Sequence, residues 1–239
     1  NFSWALLFVG LALGWALFLI GLGIGMHKYL SHRALEPRSN VIQHLLLYLG
    51  TICTVGTPLE FAAGHRTHHK FADTDRDPFV LTDSIWNNIK VWFLAIDTSK
   101  VNARIIIDLA RDPVIKFYHN HYWKILLPLP VIMFVINPVI MAYCFALPVV
   151  YVLLGMSYVS VIAHSKWWQR VFRGKFTHND QDKSWNSTMF GLLFAGEGDH
   201  ESHHHQPGER NYNRINGRMD ISNMVADLFS KHGKSAGIQ

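Results

Sequence analysis

Three long runs without Lys, Arg, Asp or Glu divide this 239-residue chain: Asn1 to His27, Ser39 to Leu59, and Ile125 to Ser165. Crossing a hydrocarbon layer takes about 20 apolar residues, so the first run predicts one spanning helix over about 3–27. It is too long for a signal peptide and has no basic leader. The third run is long enough for two spans, and Asn137-Pro138 near its middle is a pair that breaks helices. We read it as spans over about 125–142 and 143–164, joined by a tight turn. The second run holds His44, Gly50, Gly56 and Pro58 and is borderline in length. It predicts a re-entrant or interfacial helix over about 41–60.

Charge turns these elements into a topology. All 22 Lys and Arg lie within Lys28–Lys124 and Lys166–Lys234. The positive-inside rule places both stretches on the cytoplasmic side. A crossing by the second run would put Lys28 and Lys70 on opposite faces, whereas a re-entrant helix keeps every basic residue together. The expectation is therefore one all-α integral membrane domain over residues 1–239, with a cytoplasmic helical cap formed by 61–124 and 165–239. Three spans leave the N-terminus outside. The chain begins without Met, so a further upstream helix is expected to precede it. Tyr118, Tyr122 and Trp123 at one end of the third run, and Trp167 and Trp168 at the other, fit aromatic belts.

Composition agrees: 49% of residues are apolar and only 16% charged, which excludes disorder. The net charge of +5 suits anionic headgroups or an acidic protein partner. No basic run is interleaved with exposed aromatics, so nucleic acid is not expected as a partner. The two cysteines sit inside apolar runs, which argues against a disulfide framework, a cysteine zinc cluster or an internal iron–sulfur centre.

Histidine is in excess, with 15 residues. Three clusters stand out: His27 with His32, then His65, His68 and His69, then His200, His203, His204 and His205. In the second and third, positions i, i+3 and i+4 share one helix face, so three imidazoles can converge on a metal. In the first, i and i+5 are about 140° apart on an ideal α-helix. That pair must approach from different directions, or the helix must loosen near Ser31. The topology places all three clusters on one side of the membrane. Imidazole suits several transition metals; a tetrahedral zinc takes only four ligands, so eight or more point to two ions.

The segments GIGMHKYLSHR, GHRTHHKFADTDRDPF and GEGDHESHH resemble the three histidine boxes of the membrane fatty acyl desaturases of the Δ9 type, over about Leu22 to Leu228. The resemblance implies a site of two iron ions held by His27, His32, His65, His68, His69, His164, His200, His203 and His204. His164, in SVIAH, matches the further histidine that closes the family's last membrane helix. Ser160 stands where many members carry an Asn that reaches one iron through water. Asp199 and Glu201 replace an aromatic and an Asn of the usual third box, and His205 is a candidate extra ligand. Ala62-Ala63-Gly64, before the second box, looks more like bacterial acyl-lipid members than acyl-CoA members. The family's first membrane helix has no counterpart here.

Such a site implies O2-dependent formation of a cis, mid-chain double bond in an acyl chain carried by a lipid, CoA or acyl carrier protein. Alkane C–H bonds are beyond any side-chain base, so the metal carries the chemistry and the protein supplies orientation. An external donor such as ferredoxin or cytochrome b5 would deliver electrons. Carboxylates near the boxes, Asp73, Asp75, Asp77, Glu197 and Glu201, are candidates to orient the imidazoles. Trp86, Trp92 and Phe93 could line an acyl tunnel, though seating the cap on the membrane is the favoured reading. His119 and His121 are read as interfacial or partner-facing, and His44, His178 and His232 receive no role. The enzymatic rival is a di-iron acyl hydroxylase, terminal desaturase or decarboxylase. The remote rival is a His-rich metal transporter, disfavoured because its ligands would lie within the spans.

Overall fold

The computed structural model describes residues 2–79, 97–176 and 182–231; Trp86, Trp92, Phe93, His178 and His232 fall outside them. Helices dominate, and no strand occurs among the described residues. Helix α1 (Trp4–Ser31) starts at Ser3, whose side chain accepts the Leu6 N–H, and is one of two helices among the described residues long and apolar enough to cross a membrane. The other is α6 (Pro138–Ile162).

Between them lie α2 (Asn40–Ile52), α3 (Pro58–Phe71), α4 (Pro113–Asn120) and the apolar α5 (Tyr122–Ile136). The local chemistry accounts for their starts. In α3, Thr57 and Glu60 form a reciprocal capping box with Pro58 at the first turn. In α4, Asp112 accepts from Val114 and Ile115 ahead of Pro113. The third apolar run breaks at Asn137, whose side chain caps Val139. The helix boundary therefore falls at the Asn137-Pro138 pair, as its chemistry predicts, and several residues before the span division drawn near 142.

Two glycine pairs set how closely α1 is approached. A Cβ on Gly14 would lie 2.7 Å from Tyr151 Cβ of α6, and one on Gly25 would lie 2.8 Å from the Leu46 carbonyl of α2. Gly10 also faces α6 and Gly21 also faces α2, so each pair has the small-xxx-small spacing that lets helices pack at short range. Beyond α6, short helices α7 (Lys166–Val171), α8 (Thr188–Leu193), α9 (His200–His205), α10 (Asn213–Asn216) and α11 (Ile221–Ala226) fold back over the end of α1. The terminal segment docks there through Arg38 N–H to Phe229 O (2.9 Å) and Lys231 N–H to Glu36 O (2.9 Å).

Candidate metal centre

The second half of α1, Phe18–Ser31, is wound as a π-helix. Its i→i+5 hydrogen bonding continues past the end, with His32 N–H donating to His27 O at 3.1 Å. In that winding, residues five apart stack one turn above the other. The His27 and His32 rings consequently lie 4.9 Å apart. The loosening expected near Ser31 thus extends over the whole half-helix. A further π-segment, Tyr158–Ile162, leads into His164.

The nine histidines singled out above come together as two groups. His27, His32, His65, His69 and His203 form one, and His68, His164, His200 and His204 the other; within each, the ligand atoms lie within 4.8 Å of one another. The groups abut, with the His69 and His204 rings 4.3 Å apart. Neither triplet converges on a single point, contrary to the simplest reading of its spacing. On α3, positions i and i+4 (His65, His69) join the five-histidine group and i+3 (His68) joins the other. On α9, i and i+4 (His200, His204) join the four-histidine group and i+3 (His203) joins the other. The i+3 and i+4 positions are about 100° apart around a helix, so one face serves two neighbouring centres.

Carboxylates fix several rings. Glu197 Oε1 lies 2.9 Å from His27 Nδ1, Asp77 Oδ2 2.8 Å from His68 Nδ1, Asp73 Oδ2 3.0 Å from His164 Nδ1, and Asp182 Oδ2 2.7 Å from His204 Nδ1. A neutral imidazole so placed carries its proton on Nδ1 and turns a bare Nε2 inward. The His68 and His164 Nε2 atoms then face each other at 3.3 Å, two lone pairs that repel unless a cation lies beside them. His204 Nε2 is buried without a hydrogen-bond partner among the described residues. Burial, followed by mutual repulsion among the rings, holds His65, His69, His200, His203 and His204 well below the ordinary imidazole range. Neutral, inward-facing nitrogens at this density fit transition-metal ions.

The remaining candidates divide. Ser160 lines a cavity with Leu22, Phe61, Phe79, Met156 and Val159, and His27, His65, His68 and Glu197 line it too. Glu201 accepts from Asn186 Nδ2 (2.7 Å) and Asp199 pairs with Arg218 (3.2 Å), so both departures in the third box have local partners. His205 is exposed and outside both groups, and Asp75 is exposed. His44 meets the Tyr118 hydroxyl, His119 the Thr57 hydroxyl and His121 the Phe117 carbonyl. Two groups escaped the sequence reading: Asp182 on His204, and Tyr212, whose hydroxyl lies 2.9 Å from His203 Nδ1. Position alone flags neither, because nothing local aims them at a ring.

Residues 2–214 match the family model "Fatty acid desaturase". The chain is 28% identical over 209 residues to the sn-1 stearoyl-lipid 9-desaturase of Anabaena variabilis, covering 85% of this chain and 73% of that protein. It is 29% identical over 217 residues to the chloroplastic palmitoyl-monogalactosyldiacylglycerol delta-7 desaturase of Arabidopsis thaliana, covering 85% and 54%. It is 26% identical over 196 residues to a probable acyl-CoA desaturase of Schizosaccharomyces pombe, covering 77% and 38%. The chain thus spans about half or less of some of its relatives. With the family model matched over most of its length, three histidine boxes and two imidazole groups in contact, the chain belongs to the fatty acid desaturase family.

Proposed function

We propose that the protein introduces a cis, mid-chain double bond into a membrane-lipid acyl chain at a centre of two irons. The observation that carries this is the cavity. It is lined by apolar side chains from α1, α3 and α6 together with imidazoles of both histidine groups. A methylene pair held there would face both centres at once. Irons bound by the nine histidines would supply the oxidising power that alkane C–H bonds require. The stoichiometry is an acyl CH2–CH2 plus O2, two electrons and two protons giving CH=CH and two waters.

The chain's own residues do the positioning. Leu22, Phe61, Met156 and Val159 exclude water and hold the chain. Asp73, Asp77, Asp182 and Glu197 fix the rings. Electrons come from a separate protein, ferredoxin or cytochrome b5 in kind. A lipid carrier is favoured by Ala62-Ala63-Gly64 and by the lipid substrates in the names of two relatives.

In this reading α1 and α6 cross the membrane, the shorter apolar α5 leads the chain back into it as far as the Asn137 break, α2 lies in its interface, and the histidines sit on the cytoplasmic side with the basic residues. Large apolar side chains left open on these helices, such as Phe8, Val135 and Leu154, are what lipid contact requires. The test is expression in a host without its own desaturase, followed by chain-position analysis of total lipids. New internal double bonds are expected with the wild type and none with His68→Ala at equal protein level. Hydroxy acids or terminal alkenes would instead establish the rival outcome at the same centre. Double bonds formed by His68→Ala would refute the metal assignment.

A further inference from the structure

The two groups are buttressed differently. Three of the four rings in the four-histidine group face carboxylates through Nδ1: His68, His164 and His204. In the five-histidine group Glu197 takes His27, but His203 faces a phenol. His203 Nε2 lies 2.8 Å from His27 Nε2 and 2.9 Å from His69 Nε2, so Nε2 is the edge turned into the cluster. As a ligand, His203 must carry its proton on Nδ1, and the Tyr212 oxygen is then the acceptor.

Tyr212 is itself held from two sides. Its backbone N–H donates to Asp220 Oδ2 at 3.0 Å, and Lys28 Nζ sits 4.2 Å from the ring centre. Lys28 and Asp220 pair at 3.1 Å with both side chains 1% exposed. Lys28 Nζ also donates to Arg210 O at 2.7 Å. Lys28 follows the ligand His27 directly, whereas Asp220 lies past residue 214, where the family match ends. A buried ion pair therefore joins the first histidine box to a terminal segment outside the matched region, and Tyr212 stands between that pair and a ligand.

We propose that Tyr212 is a positioning residue for His203, and that the Lys28–Asp220 pair makes metal occupancy of the five-histidine group depend on the docked terminal segment. The proposal rests on the reading of the two groups as metal sites. Without the phenol, the Nδ1–H of His203 is buried and unpaired. The ring is then free to turn, or to move its proton to Nε2 and lose its ligand edge. Loss of such a partner typically weakens metal binding about 10–100-fold.

The test is an anaerobic Fe2+ titration of the full chain against a competing chelator, in two backgrounds. His200→Ala leaves only the five-histidine group intact, and adding Tyr212→Phe is expected to weaken iron binding about 10–100-fold. His32→Ala leaves only the four-histidine group intact, and there Tyr212→Phe is expected to change nothing. Unchanged affinity in the first background, or equal loss in both, overturns the proposal. Replacing the ion pair together, Lys28→Met with Asp220→Leu, avoids burying a lone charge and is expected to reproduce the selective loss; unchanged affinity overturns the tether. A wild-type chain that binds no iron in either group would instead refute the functional reading, a result distinct from an inert Tyr212→Phe.

Discussion

Arg66 sits beside His65, a member of the five-histidine group. Its Nε donates to Ser31 O (2.6 Å) and its Nη1 to Ile105 O (2.8 Å), while Asp108 takes both terminal nitrogens at 2.7 and 3.0 Å. It thereby satisfies a carbonyl that the end of α1 leaves without an intrahelical partner and ties α3 to that end. Partial burial opposes ionisation of Asp108, but Arg66 and Arg33 more than offset it and hold the carboxyl at about 2, against an ordinary 3.8. Asp108→Asn is expected to destabilise the protein by about 1 kcal/mol, the discount reflecting solvent screening of a half-open pair. Because the folded carboxyl is the stronger acid, the contribution is complete above 3.8 and is lost as pH falls toward about 2. Unfolding measured against pH should show wild type and variant converging over that interval. At this scale the sequence was legible where chemistry is local. Asp73 and Asp77 follow the second box closely enough to be suspected. Glu201, inside the third box, is one position from His200 and so about 100° around the helix from it, which turns it to Asn186.

The most informative element is the π-wound half of α1. Spacing alone showed that His27 and His32 misfit an α-helix, and it raised loosening as one remedy. The extent of the loosening was not legible, because no local spacing marks a π-segment that starts at Phe18, nine residues before His27. The split of each HxxHH triplet was hidden for a similar reason. A helix defines a face, but which centre each position serves is decided by the helix across from it. Gly25→Leu would drive a side chain into the Leu46 carbonyl, 2.8 Å from where its Cβ must lie. Overpacking of this kind costs about 1–3 kcal/mol. A lower unfolding temperature in detergent and weaker iron retention are expected together, since α1 carries His27 and His32. A variant with unchanged stability would show that α2 can move away at no cost.

At the scale of the whole molecule, the centre is assembled from segments far apart in the chain: the end of α1, α3, the exit of α6, and α9. Apolar runs made an all-helical architecture readable, and the boxes with His164 named the nine histidines that come together in two groups. What pattern could not give was the pairing of segments, such as Asp73 with His164 or Lys28 with Asp220, because contacts across such separations leave no local signal. Under the function proposed above, the nine histidines form two neighbouring, inequivalent iron sites. Mössbauer spectroscopy of the full chain loaded anaerobically with 57Fe2+ tests it most directly. Five imidazoles at one centre and four at the other predict two high-spin ferrous doublets of equal area, with one lost in His200→Ala. Loading that stops at one iron per chain, or a single doublet unaffected by that substitution, would contradict it.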